Sequence, residues 1–196
     1  MKPSSRSKSR RRQSSALLSL ALISPFLGVA LGWGKPSDLP KVAEAVADRF
    51  PDVGEVTPAA LEQELDRPAD ARPILLDVRS PEEYAVSHLA GAVRAATLDG
   101  ALAALDGTPP DAEIVVYCAV GFRSAVLAEK LQKAGYTHVR NLRGALFAWA
   151  NSGRPVVRDG HPVDQVHPYD KNWGKLLRED LRAEVPTTDQ PSKPAS

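Results

Sequence analysis

One nucleophile in this chain stands where its neighbours could use it: Cys118, in the run Cys118-Ala119-Val120-Gly121-Phe122-Arg123-Ser124. Ahead of it lies Ile114-Val115-Val116-Tyr117, an apolar run with the pattern of a central parallel strand, and a helical stretch follows. A junction of this kind lies at the carboxyl edge of a parallel sheet, where open α/β folds bind ligands. Gly121 permits a sharp turn and close backbone approach, so successive N–H groups from Ala119 to Ser124 can point inward as an anion-binding nest. The nest, the helix N-terminus and the Arg123 guanidinium all favour negative charge, so the cysteine is expected as a thiolate. Arg123 can also make paired hydrogen bonds to a sulfonate or phosphate oxyanion. Two chemistries fit a thiolate in such a turn: attack on a phosphate ester, or attack on the sulfane sulfur of a thiosulfate-like donor. The bland alternative is a buried cysteine ending a strand, with Gly121 in an ordinary turn and Arg123 solvated.

The elements that must position this turn alternate between strand and helix. Residues 35–55 read as a linker and a short amphipathic helix, with Val42, Ala45, Val46 and Phe50 at helical spacing. Thr57 and Pro58 supply an N-cap and a first-position proline for a second helix ending near Asp66. Ile74 to Val78 reads as another buried strand, followed by a capped helical turn from Ser80 to Ala85, a small strand at Ala92-Val93-Arg94 and a Leu/Ala-rich helix near Leu98 to Leu105. After Arg123 a helix runs to about Ala134 with Gly135 as its stop. Val139 to Leu142 reads as a strand and Ala145 to Asn151 as a closing helix ended by Gly153. The alternation predicts an α/β fold with a central, mostly parallel sheet flanked by helices. Residues 158–196 form a C-terminal extension, with a helix expected from Gly174 to Arg182 and a disordered polar end.

Three segments in this order resemble the rhodanese-like family. They are L-L-D-V-R-S-P-E-E-Y-A-V-S-H-L-A-G-A-V at Leu75 to Val93, C-A-V-G-F-R-S at Cys118 to Ser124, and N-L-R-G-A-L-F-A-W at Asn141 to Trp149. The resemblance covers residues 56–157. It implies a sulfurtransferase whose catalytic Cys118 accepts sulfur as a persulfide, with the amides of Ala119 to Ser124 stabilising it. It also implies the short loop of sulfurtransferases, with Arg123 five positions after Cys118, where the related dual-specificity phosphatases insert a residue. Two positions depart from the family's pattern, which more often has glycine at Ser87 and proline at Ala90. Phe122 sets an aromatic beside the loop, either narrowing the choice of donor or merely packing.

Other polar residues read as supports. Asp77, Arg79, Glu82 and Glu83 fit a structural ion-pair cluster better than acid/base groups, and His88 is expected to hydrogen-bond the backbone of its own loop. His161 and His167 have no companion ligands at metal spacing, so no metal and no organic cofactor is expected. Tyr169 and Trp173 read as packing residues of the extension, or as a docking surface for a partner.

Composition narrows the setting. A net charge of +1 selects no polyanion, so no nucleic-acid partner is expected. Its basic excess sits in the leader, where Lys2, Arg6, Lys8 and Arg10-Arg11-Arg12 precede the nearly uncharged stretch Ala16 to Gly32. Residues 1–34 therefore read as a cleaved export signal or an uncleaved membrane anchor, with residues 16–32 as the only membrane contact. The triple arginine lacks the apolar residues that a twin-arginine signal carries next. Either way the remainder is expected outside the cytoplasmic membrane, in the periplasm or another extracytoplasmic space. The chain has one cysteine, so no internal disulfide can form and any sulfur taken up must leave with a second molecule. The expected partners are a small-molecule sulfur donor and a thiol or cyanide acceptor. From a different class comes the alternative of a non-catalytic binding module that recognises a protein in the cell envelope, and a cysteine phosphatase is a third.

Overall fold

The computed structural model describes residues 38–184; the leader and the polar tail, with the export and disorder expected of them, lie outside those residues. Among the described residues no helix is long and apolar enough to cross a membrane. A five-stranded, wholly parallel sheet forms the centre, with strand order β1-β5-β4-β2-β3. Its strands are β1 (Gly54–Val56), β2 (Ile74–Asp77), β3 (Val93–Arg94), β4 (Ile114–Tyr117) and β5 (Val139–Leu142). Strand β4 is central and buried along its whole length, which explains why its sequence shows no alternation of polar and apolar residues. Strand β1 straddles the end of the stretch expected as linker and short helix, because three residues carrying one buried side chain, Val56, give no periodic signal.

The helices are α1 (Leu39–Arg49), α2 (Pro58–Leu65), α3 (Pro81–Val86), α4 (Leu98–Ala104), α5 (Phe122–Lys133) and α6 (Ala145–Asn151). Local chemistry starts several of them. Thr57 and Thr97 each accept a backbone N–H through the side chain. Ser80 and Glu83 form a reciprocal capping box at α3. A two-stranded antiparallel hairpin follows, β6 (Val156–Arg158) and β7 (His161–Val163), and it is tied to the family's first signature where His88 bridges Val157.

The helix expected from Gly174 to Arg182 does not form. Two 3₁₀ turns stand there instead, Trp173–Leu176 and Glu179–Leu181, with Leu177 and Arg178 extended between them. Tertiary bonds account for the break. Asn151 of α6 donates through Nδ2 to the Leu176 carbonyl and accepts the Arg178 N–H, both at 2.8 Å, and Arg182 donates to the Leu177 carbonyl. Leu176 and Leu177 are both buried against the core at this break.

Asp77 closes β2 and is fully buried beside the equally buried Arg79. The carboxylate accepts the Arg79 backbone N–H at 3.0 Å and its Nε and Nη2 at 2.9 and 2.6 Å. Arg79 then reaches the Ser87 carbonyl at 2.6 Å and so spans the connection that contains α3. Burial alone would lower the Arg79 pKa, and the bonds and charge of Asp77 outweigh it, so the guanidinium is held above its ordinary value. Removal of one partner strands the other charge in the core. Asp77→Ala is therefore expected to cost about 3–5 kcal/mol, read as a lower urea midpoint at unchanged m-value. A loss below about 1 kcal/mol would show that the pair is not what holds this connection.

Candidate functional site

Cys118 leaves the carboxyl end of β4 and is 1% exposed. The backbone then turns at Gly121, whose φ of 111° is closed to residues with a Cβ, and α5 begins at Phe122. The Gly121 N–H donates to Cys118 Sγ at 3.1 Å. The orientation of the remaining amides follows from where their carbonyls go. The Leu146 and Phe147 N–H groups, in the first turn of α6, donate to the Cys118 and Ala119 carbonyls at 3.1 and 3.0 Å. These are helix-start donors with no partner inside their own helix, so the loop carbonyls satisfy them. The Gly121 carbonyl accepts from Asn141 Nδ2 at 3.0 Å and from Ser124 Oγ at 3.1 Å.

All peptide bonds of the described chain are trans, so each N–H points opposite to the carbonyl of its own peptide unit. With the carbonyls of Cys118, Ala119 and Gly121 drawn toward α6, Asn141 and Ser124, the amides of Ala119, Val120 and Phe122 project the other way. The Gly121 N–H, bonded to Sγ, and the amides of Ala119 and Val120, turned away from α6, are donors that suit an anion at this turn. Two left-handed residues make it accessible to α6: Gly144 (φ 65°) and Ala145 (φ 51°) turn the chain sharply out of β5 so that α6 starts beneath the loop. A Cβ on Gly144 would lie 2.7 Å from that of Ala148, so the sharp turn requires glycine.

Asn141 was not singled out by sequence reasoning. The available signal was a polar residue inside β5, a strand otherwise buried at Val139 and Leu142, since a buried amide needs a partner and so marks a specific hydrogen bond.

Arg123 makes its paired hydrogen bonds to a protein carboxylate. Its Nη1 and Nη2 donate to the two oxygens of Glu83 at 2.8 and 2.7 Å, joining the start of α5 to the capping box of α3. The expected cluster of acids and Arg79 is thus two pairs, Asp77 with Arg79 and Glu83 with Arg123, while Glu82 is exposed. Burial would lower the Arg123 pKa, but Glu83 and the nearby Cys118 charge raise it well above its ordinary value. The guanidinium therefore remains a fixed positive charge beside the sulfur. Phe122 sits against Phe50, the residue that ends α1, edge to face with centroids 5.4 Å apart, and so packs the loop against the end of that helix. His88 stacks on Tyr84 at 3.8 Å, with Nδ1 at 3.1 Å from the Tyr84 carbonyl. Ser87, one of the two departures from the family pattern, is extended (φ −171°), a conformation that needs no glycine.

Tyr169 of the C-terminal extension lies over Arg123, 4.8 Å from guanidinium carbon to ring centroid. Among the described residues no three His, Cys, Asp or Glu side chains cluster as a metal site requires.

A parallel α/β domain with one buried cysteine in an amide-lined turn between its central strand and a helix defines a restricted class of protein. Residues 57–152 match the pattern of the rhodanese-like domain, and a sulfurtransferase of Allochromatium vinosum is 35% identical over 106 residues, 54% of this chain and 95% of that protein. The chain belongs to the rhodanese-like family. Thiosulfate sulfurtransferase PspE of Escherichia coli is 36% identical over 70 residues, 35% of this chain and 67% of that one. The fold is also that of a thiosulfate sulfurtransferase from Pseudomonas aeruginosa, with a TM-score of 0.52 at 23% identity, covering 61% of this chain and 23% of that one.

Burial pushes the Glu83 carboxyl up, but the bonds and charge of Arg123 and the Ser80 N–H outweigh it, leaving the pKa below the ordinary 4.5. A carboxyl depressed in the folded state stabilises the fold above its unfolded value, and that contribution disappears as pH falls through the folded value. Glu83→Gln is therefore expected to lower stability at neutral pH, with the gap from wild type closing below about pH 4.5. Urea midpoints for the two proteins that stay parallel from neutral pH into the acid limb would sink this account.

Proposed function

We propose that this rhodanese-like protein is a sulfurtransferase that carries sulfane sulfur on Cys118 between a thiosulfate-like donor and a thiophilic acceptor. The observation that carries the proposal is a buried Sγ bonded by the Gly121 N–H, in a turn whose Cys118 and Ala119 carbonyls are held by α6. The Cys118 thiolate attacks the outer sulfur of the donor. A new S–S bond forms, the donor's own S–S bond breaks, and sulfite or its equivalent leaves with the electron pair. The terminal sulfur of the resulting persulfide carries the negative charge, one atom beyond Sγ, where the turn's backbone amides, Gly121 among them, would stabilise it. Cyanide or a thiolate then attacks that sulfur, the persulfide bond breaks, and Cys118 returns as thiolate. No net oxidant or reductant is consumed when cyanide is the acceptor.

Arg123 contributes a held positive charge that favours approach of an anionic donor, while Glu83 keeps the guanidinium from folding into the loop and neutralising the sulfur. The short loop supports sulfur over phosphorus as the electrophile, and the names of the relatives in Allochromatium vinosum and Escherichia coli support the same class. Protein treated with thiosulfate is expected to gain the mass of one sulfur atom on Cys118 and to release thiocyanate on addition of cyanide. Cys118→Ser should lose turnover by at least about a thousandfold, as loss of a covalent nucleophile does. Undiminished turnover in that variant would refute the persulfide route, and negligible turnover of wild type with partner capture that survives Cys118→Ser would establish the binding-module alternative.

The basic leader and the apolar stretch that follows it support export, with the catalytic domain outside the cytoplasmic membrane. Intact mass of the protein recovered from membrane and soluble fractions is expected to show either loss of the leader or its retention in the membrane fraction. Full-length protein in the cytoplasmic soluble fraction alone would overturn the assignment.

A further inference from the structure

The C-terminal extension has no part in the chemistry above, yet it is anchored as firmly as a core element. Val166 is fully buried; its N–H donates to the Leu181 carbonyl at 2.7 Å and its own carbonyl accepts the Ala183 N–H at 3.0 Å. Gly174 packs so closely on Pro168 that a Cβ there would lie 2.8 Å from that of the proline. Between these anchors the chain makes a tight excursion that includes Tyr169. The tyrosine has a φ of 67°, in the left-handed region that a Cβ disfavours. Neighbouring bonds impose this conformation. His167 Nδ1 accepts the Tyr169 N–H at 3.0 Å, and Asp170 Oδ1 accepts the N–H groups of Asn172 and Trp173 at 2.7 and 2.8 Å.

The outcome is a half-buried aromatic ring laid on Arg123, at the end of the cysteine loop. A strained residue held by its surroundings beside a reactive centre is the usual mark of a functional one. Packing alone would be served by glycine or asparagine in the turn, at less conformational cost. Burial raises the Tyr169 pKa, with Arg123, Glu83 and Cys118 among the charges it senses, so the phenol is neutral and within electrostatic reach of the sulfur. A neutral wall there does not repel an anionic donor.

We propose that Tyr169 is a specificity-determining residue whose ring walls the approach to Cys118 above Arg123, admitting compact reagents such as thiosulfate and cyanide and excluding bulky thiols. Its substrates rest on the sulfurtransferase reading, but the wall does not. Cys118 is 1% exposed, and Arg123, at the end of its loop, carries this ring 4.8 Å from its guanidinium carbon.

Because Cys118 is the only cysteine in the chain, alkylation of the full-length protein reports on the approach without any turnover. Rates with iodoacetamide and with fluorescein maleimide would be compared for wild type, Tyr169→Phe and Tyr169→Ala. The bulky-to-small rate ratio is expected to rise about tenfold in Tyr169→Ala and to stay within about twofold in Tyr169→Phe. An unchanged ratio overturns the proposal, and so does equal acceleration of both reagents, which would mean general loosening. Should Tyr169→Ala not fold, Tyr169→Gly carries the same comparison, since glycine accepts the left-handed backbone. In parallel, the kcat/KM ratio for glutathione over cyanide should rise in the same variant. Wild type that takes no sulfur from thiosulfate would refute the sulfurtransferase reading, while the alkylation ratio would still decide the wall.

Discussion

Three carbonyl oxygens govern this site. Those of Cys118, Ala119 and Gly121 are drawn away from the sulfur by the first turn of α6, by Asn141 and by Ser124. Peptide planarity then turns the N–H of each of these units away from the carbonyl's partner. Loss of these acceptors' partners would free the peptide units to rotate, and the donor row would cease to be preorganised. The glycines at 121 and 144 and the left-handed Ala145 are secondary to that constraint, because their dihedrals are what bring the two segments into register.

The two ion pairs serve this arrangement at different depths. Asp77 and Arg79 lie fully buried under the connection between β2 and α3, where their hydrogen bonds replace the water that either charge would need. Glu83 and Arg123 are nearer the surface and join α3 to α5, so the capping box of one helix positions the first turn of the other. The consequence is a positive charge held near the Cys118 loop by a carboxylate of another helix.

Much of this was legible in the residues. Strand β4 showed itself by an unbroken apolar run, α3 by Ser80, Pro81 and Glu83, and the reactive turn by a cysteine, a glycine and an arginine between strand and helix. These signals are local, and local chemistry is enough to produce them. Other features carried no such signal. Strand β1 is too short for a pattern, and the partner of Arg123 lies 40 residues away in the chain. The helix expected between Gly174 and Arg182 is overridden, since Asn151 takes the Leu176 carbonyl and the Arg178 N–H out of any helical ladder.

The sequence by itself determined an α/β protein with one cysteine in a strand-to-helix turn, because strand hydrophobicity, helix caps and loop composition act over a few neighbouring residues, and three of its segments carried the resemblance to the rhodanese-like family. Only the tertiary structure decided how that nucleophile is served: which carbonyls are turned away, that Asn141 takes part, that Arg123 is paired with Glu83, and that Tyr169 lies over Arg123. Each of these depends on hydrogen bonds or contacts between residues distant in sequence. Such contacts are selected by the packing of the whole domain, and no window of the chain contains both partners.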